Sequence, residues 1–186
     1  MHNEVHEWIR QARRYLNSVE GVITNEFAVV EIGSRDVNGR ASANFGPVRT
    51  WLGVDVETGM NVDIVMDGVE YLEGQAGSDW DMVISCEVFE HTESWPQMVR
   101  AAFNAVRSDG WLLITCASTG RPPHSAIDGG AIRPGEWYSN VSAEEFQTVA
   151  VEAGWTIVNL EVDFRGESPM RTHYGDLFVL CRKVLS

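Results

Sequence analysis

Short apolar runs that end in a polar or acidic residue recur along the first two thirds of this 186-residue chain. They are rich in β-branched and aromatic residues and too short for buried helices, so each is predicted to be a buried strand. The runs cover residues 26–32, 50–55, 61–67, 80–86 and 111–116. Helical spacing at 94–106, between the last two runs, is followed by a stop at 108–110. Ser142 and Glu145 fit a capping box that opens a second helix at 142–154, so strands and helices alternate. This pattern predicts an α/β fold, a parallel sheet with helices on both faces.

The two ends of the chain have different patterns. Apolar residues recur every three or four positions from Asn3 to Leu16, which predicts an amphipathic N-terminal helix within residues 1–20. The last two predicted strands, 155–164 and 176–184, have no helix between them and should pair antiparallel. The length suits one domain, residues 1–186.

Composition narrows the classes of partner. Fourteen basic residues against 27 acidic ones leave a formal charge of −13, which would repel nucleic acid. No tract approaches the roughly 20 apolar residues of a membrane span, and the first residues lack the apolar region of a secretory signal. Three widely spaced cysteines fit reduced core thiols. We expect a cytoplasmic protein that acts on neither nucleic acid nor membrane, with homodimer formation left open.

Acidic residues end the first two strands of the predicted sheet. Ligands of such sheets bind outside the carboxyl ends of the strands. Glu31 precedes a loop whose Gly33 and Gly39 permit close backbone approach. Asp55 ends the next strand, where an acid accepts hydrogen bonds from ribose hydroxyls. The alternative for Asp55 is a solvated acid at a strand end.

Polar groups also end the third and fourth strands. Asp67, followed by Gly68 and Val69, can accept a hydrogen bond from the exocyclic amino group of adenine. Cys86 and Glu87 end the fourth strand, beside the point where the first and fourth strands diverge. Together these features predict a nucleoside-like ligand.

Two segments carry a family resemblance. The segment DMVISCEVFEH at 81–91 and the segment AVRSDGWLLIT at 105–115 lie at the usual distance from each other. With the glycine loop and the acids above, they resemble class I S-adenosylmethionine-dependent methyltransferases, in particular the branch with a fourth-strand motif of this EVFEH type. The likeness extends from about residue 27 to 184.

The resemblance implies a single-domain, Rossmann-like, doubly wound sheet of seven strands in the order 3-2-1-4-5-7-6, with strand 7 antiparallel. It implies S-adenosylmethionine as cofactor and S-adenosylhomocysteine as product. The Glu31 loop would hold the methionine part, Asp55 the ribose, and Asp67 the adenine, with Cys86 and Glu87 near the sulfonium. The implied cofactor residues are Glu31, Gly33, Ser34, Arg35, Gly39, Asp55, Val56, Asp67, Gly68, Val69, Cys86 and Glu87.

The glycine loop departs from the family pattern. Arg35 and Val37 stand at the places of later glycines, and Gly39 comes two residues late. Arg35 either turns outward or meets the carboxylate of the cofactor's methionine part.

The acceptor site has weaker signals. His91, just past the fourth strand, and His124, in the glycine- and proline-rich loop 117–141, are candidate bases. The alternatives are a His91 that packs the following turn and a His124 that is an ordinary exposed loop residue. Trp137 and Tyr138 would either line an acceptor pocket or pack the loop against the sheet. The sequence contains neither His-x-x-x-His nor a paired cysteine motif, so no metal is expected.

The predicted activity is methyl transfer to an oxygen or nitrogen atom of a small-molecule acceptor. A non-catalytic adenosylmethionine-binding or interaction module would keep the same cofactor contacts. An NAD-dependent oxidoreductase would share the first strand, the glycine turn and the ribose acid. It would also need room for nicotinamide and a substrate domain, for which this chain has little material.

Overall fold

A seven-stranded sheet forms the centre of the molecule. The computed structural model describes residues 3–37, 39–167 and 173–184. The strands are β1 (Ala28–Ile32), β2 (Thr50–Asp55), β3 (Ile64–Val65), β4 (Trp80–Cys86), β5 (Val106–Ala117), β6 (Thr156–Glu167) and β7 (His173–Arg182). Their order is β3-β2-β1-β4-β5-β7-β6, and β7 runs antiparallel to both of its neighbours. The predicted strand order and direction are confirmed.

Five α-helices cover the two faces of the sheet. They are α1 (Asn3–Ser18), α2 (Ala41–Phe45), α3 (Gly68–Gly74), α4 (Trp95–Ala105) and α5 (Ala143–Ala153). Helices α1 and α2 pack on one face, and α3, α4 and α5 pack on the other. The N-terminal helix is confirmed, and none of the helices in the described part of the chain is long and apolar enough to cross a lipid bilayer.

The central strands are buried on both faces, which explains why their sequences are mostly apolar and do not alternate between apolar and polar residues. Along β5, Leu112 and Ile114 pack under α4 and α5, whereas Trp111 and Leu113 pack under α1. Successive strand side chains point to opposite faces, so each face takes every second residue. The free, buried Cys86, Cys116 and Cys181 belong to these cores, as predicted.

Capping residues set the bounds of α5. The Ser142 hydroxyl accepts a hydrogen bond from the Glu145 backbone N–H, and the Glu145 carboxylate accepts one from the Ser142 backbone N–H. Gly154 ends the helix in the left-handed region at φ 99°. The predicted capping box is therefore confirmed.

Two strands differ in extent from the prediction. β3 has only two residues, because Asp63 turns to accept a hydrogen bond from the Gly53 N–H at 2.8 Å and Asp67 caps the next helix. β5 begins at Val106, directly after α4, and the predicted stop at 108–110 lies inside it as an irregularity with Asp109 at φ 62°. The β4–β5 register shifts at this point.

Candidate active site

A cleft of about 1080 Å³ opens at the carboxyl edge of the sheet. The parallel pairing of β1 with β2 and β4 brings the ends of these strands together. Twelve of the residues predicted for the site line the cleft: Glu31, Gly33, Arg35, Gly39, Asp55, Val56, Asp67, Gly68, Cys86, Glu87, His91 and His124. The acids at the ends of successive strands therefore border one shared crevice.

Gly33 shapes the turn after β1. Its φ is +75°, and a side chain at this position would overlap Val88. The Gly33 and Ser34 N–H groups both donate to the Val54 carbonyl, at 2.8 and 3.1 Å, which fastens the turn to β2. Only glycine combines this backbone conformation with this close approach.

Glu31 is a buried carboxyl at the base of the cleft, only 3% exposed. It accepts hydrogen bonds from Trp51 Nε1 at 2.9 Å and Asn61 Nδ2 at 3.1 Å, and from the Ala41 backbone N–H at 3.3 Å. Burial raises the pKa of Glu31 to about 7, although these three bonds oppose the shift. Its contacts tie β1 to β2 and to the start of α2.

Ser34 and Arg35 take different directions. The Ser34 side chain is buried against Gly53 and does not border the cleft. Arg35 lines the cleft, and its Nη1 pairs with Glu57 Oε2 at 2.7 Å while its side chain lies over Gly59. Arg35 therefore has a carboxylate partner within the chain, a contact that the sequence did not indicate.

Asp55 holds two loops in place. Its Oδ2 accepts from the Arg35 N–H and its Oδ1 from the Glu57 N–H, both at 3.0 Å. A carboxylate oxygen can accept two hydrogen bonds, so each oxygen keeps acceptor capacity. The next residue, Val56, is 66% exposed beside the cleft.

Asp67 is the N-cap of α3, a role that was not predicted from the sequence. Its Oδ1 accepts from the Val69 and Glu70 N–H groups at 2.9 and 3.1 Å. The Asp-x-x-Glu spacing before an apolar run could have indicated this cap. Gly68 lies against Ile32 at the cleft wall, whereas Val69 packs on the core and does not border the cleft.

Glu87 follows β4 in an uncommon conformation, with φ at 58°. Its N–H donates to the Thr115 carbonyl at 2.7 Å, and its Oε1 accepts from Thr115 Oγ1 at 3.1 Å. Burial, with a further contribution from Asp176, raises the pKa of Glu87. Burial also raises the pKa of the Cys86 thiol, which makes Cys86 a poor nucleophile.

Three charged residues near Glu87 were not predicted from the sequence. Glu90 is fully buried, and its Oε1 accepts from the Ala117 N–H at 3.0 Å. Burial raises its pKa, and so do Glu87 and Asp176. Arg121, which lines the cleft, pairs with the buried Asp176 at 3.4 Å. The signal available for Glu90 was its place in the motif at 81–91, directly before His91.

Two imidazole rings line the far end of the cleft, and the Tyr138 ring packs against both. The His91 and His124 ring centroids are 5.0 Å apart, and Tyr138 lies 5.5 Å from the first and 5.0 Å from the second. Burial lowers the pKa of His91 to about 4 and also lowers that of His124. Both imidazoles are therefore neutral at pH 7. Neither Trp137, which is 45% exposed, nor Tyr138 borders the cleft.

Residues 19–160 match the model of a family described as a methyltransferase domain. The fold is similar to a methyltransferase from Mesorhizobium loti that depends on S-adenosylmethionine (TM-score 0.60, 14% identity, 94% of this chain and 99% of that chain). It is also similar to 1,6-didemethyltoxoflavin-N1-methyltransferase from Burkholderia thailandensis (0.63, 18%, 96% and 79%). A third similar structure is phospholethanolamine N-methyltransferase 2 from Haemonchus contortus (0.61, 14%, 97% and 56%).

No curated protein matches the chain in sequence at a significant level. The family match covers most of the chain, and the strand order with its antiparallel β7 agrees with it. The chain therefore belongs to the methyltransferase-domain family and is a class I methyltransferase that uses S-adenosylmethionine.

Proposed function

We propose that this enzyme transfers a methyl group from S-adenosylmethionine to an oxygen or nitrogen atom of a small-molecule acceptor. The observation that carries the proposal is the single cleft, which runs from the acids after β1, β2 and β3 to His91 and His124. Its volume of about 1080 Å³ slightly exceeds the ~300 to 1,000 Å³ usual for small-ligand sites and suits a cofactor together with a small acceptor.

The residues at one end of the cleft fit the cofactor. Asp55 keeps acceptor capacity for the ribose hydroxyls beyond its two backbone bonds, and Asp67 Oδ2 takes no part in the α3 cap bonds. Val56 exposes an apolar surface on which an adenine ring can pack. The turn at Gly33 would bring backbone against the methionine part of the cofactor, near Glu31, Arg35 and Gly39. Ser34 and Val69 would contribute through the backbone.

The remaining part of the cleft is proposed to hold the acceptor. When bound, the cofactor supplies a methyl group already activated on a positively charged sulfur, so the protein needs only to orient the acceptor and exclude water. His91 and His124, both neutral, would accept hydrogen bonds from an acceptor hydroxyl or amine. A pKa near 4 makes His91 a weak base, so orientation is its stronger role. Tyr138 would form the wall behind both rings.

Three further observations support a small acceptor and a cytoplasmic location. A formal charge of −13 disfavours a polyanionic substrate such as nucleic acid. Two of the similar structures carry the names of enzymes with small acceptors, 1,6-didemethyltoxoflavin and phospholethanolamine. Three free, buried cysteines fit a reducing compartment.

Calorimetry with S-adenosylhomocysteine tests the cofactor end of the proposal. We expect Asp55→Ala to weaken binding by ~1.5 to 3 kcal/mol, about ten- to a hundredfold in Kd, because charge-assisted hydrogen bonds to the ribose are lost. Asp63→Ala is the matched control, since Asp63 also accepts a backbone bond near β2 but lies outside the cleft. Unchanged affinity in Asp55→Ala would remove Asp55 from the site.

Turnover with labelled cofactor tests the acceptor end. A panel of small hydroxylated and amino compounds should include at least one that becomes labelled. Tight S-adenosylhomocysteine binding without labelling of any compound would favour a non-catalytic binding module.

A further inference from the structure

Glu90, His91 and His124 meet at the acceptor end of the cleft. One ligand atom from each residue, a carboxylate oxygen or an imidazole nitrogen, lies within 4.8 Å of the other two. Glu90 and His91 lie in the 3-10 turn after β4, and His124 lies in the segment after β5. β4 and β5 are parallel neighbours, so the segments that follow them leave the sheet at the same edge.

Two buried polar atoms of this cluster have no hydrogen-bond partner. They are Glu90 Oε2, on a side chain with no exposed surface, and His91 Nδ1. A buried polar atom without a partner is destabilising. Both atoms are therefore available to a ligand such as a metal ion.

Backbone groups hold the other nitrogen of each imidazole. His124 Nδ1 is 3.2 Å from the Pro122 carbonyl oxygen. His91 has a hydrogen bond to the backbone of Trp137, and since its Nδ1 has no partner, this bond involves Nε2. A carbonyl that accepts from one ring nitrogen leaves a lone pair on the other. This arrangement is typical of metal-binding histidines.

The charges around the cluster favour a cation. Two further acids lie near Glu90: Glu87 is three residues earlier in the segment after β4, and Asp176 is the register partner of Ala117, whose N–H donates to Glu90. Arg121 is a neighbouring cation, which pairs with Asp176 and lines the cleft. The surroundings of Glu90 Oε2 are therefore more acidic than basic.

We propose that Glu90, His91 and His124 bind one divalent first-row transition-metal ion, with zinc as the reference ion. Two imidazoles and one carboxylate form a known ligand set for zinc and iron, and they leave a coordination position open. His91 and His124 line the cleft, so that position faces the acceptor. The inference departs from the expectation of no metal, because ligands 33 positions apart form no spacing motif.

The role of the metal rests on the proposed function. A hydroxyl acceptor bound at the open position would have a lower pKa, and its oxygen, which keeps a further lone pair, would be oriented toward the methyl group. The metal-binding site itself does not depend on that role.

Titration of the untagged, chelator-treated full chain with Co²⁺ and Zn²⁺ tests the site. We expect one ion per chain by calorimetry and the visible absorption of four- or five-coordinate Co²⁺. His124→Ala should lower the affinity by at least about a hundredfold, a larger loss than the removal of an outer-sphere partner. His6→Ala is the matched control, because His6 lies on α1 away from the cleft.

His124→Ala is the decisive variant, since Glu90 is fully buried and its replacement threatens folding. A thermal midpoint that rises with Zn²⁺ in the wild type and in His6→Ala but not in His124→Ala would support the site. Two outcomes would overturn the metal site: no saturable binding below ~100 μM, or equal binding by His124→Ala. Bound water would then be the partner of the two buried atoms. S-adenosylhomocysteine binding is measured separately, so failure here leaves the cofactor proposal standing.

Discussion

Glu31→Gln tests whether burial of the Glu31 carboxyl makes the stability of this protein depend on pH. The native pKa is about 7, against 4.5 for the unfolded chain, with burial as the main cause. An acid with a raised native pKa stabilises the fold at low pH and loses that contribution as the pH rises through its native value. At 1.36 kcal/mol per pKa unit, the difference amounts to about 3 kcal/mol of stability lost between about pH 4.5 and 7.

The geometry of the three Glu31 hydrogen bonds sets the expected size of the effect. A glutamine oxygen can still accept from Trp51 and Asn61, but its amide would face the Ala41 N–H, so the 3.3 Å bond is lost. That loss costs about 1 kcal/mol at every pH. The variant should therefore be about 1 kcal/mol less stable than wild type at pH 4.5 and about 2 kcal/mol more stable at pH 8.

Urea unfolding at several pH values between 4.5 and 8, followed by tryptophan fluorescence, measures this crossover. Other buried acids also change stability with pH, so the informative quantity is the difference between variant and wild type. Glu26→Gln, at an exposed position before β1, is the control for replacing a glutamate by glutamine. A constant difference for Glu31→Gln would refute the reasoning, because it would mean that Glu31 ionises alike in the folded and unfolded states.

Two substitutions test local features of the fold. Gly33→Ala should destabilise the protein by more than ~1 kcal/mol and weaken S-adenosylhomocysteine binding, because it combines a positive φ with overlap of Val88. The control Gly77→Ala has a similar φ but open space around it, so an equal cost in chemical denaturation would contradict the role of the close approach. Ser142→Ala should cost about 1 kcal/mol in thermal unfolding by removing the capping box of α5, and a change below ~0.3 kcal/mol would contradict it.

The sequence was informative wherever the signal is local. The short, β-branched run at 26–32 predicted a strand buried on both faces, and Ser142 with Glu145 predicted the start of α5. Acids at the strand ends predicted the edge of the sheet that carries the cleft. Such patterns are visible in a sequence because side-chain periodicity and capping involve neighbours within a few positions.

Side-chain partners were less predictable even within predicted elements. Arg35 pairs with Glu57, Asp67 caps α3, and the stop at 108–110 became an irregularity inside β5. For Arg35 and Asp67, several neighbouring residues could have paired with the same polar side chain. The choice among them depends on the path of the backbone, which the residue types alone do not determine.

Through local periodicity, the sequence by itself determined the alternation of strands and helices, the buried strands and the sheet edge that bears the cleft. Only the tertiary structure decided which distant side chains share that cleft, and it brought Glu90 and His91 to His124 and placed Arg121 beside Asp176. The physical reason is that these contacts join segments that leave different strands of the sheet. Their proximity follows from strand order and loop path, and no spacing within the chain records it.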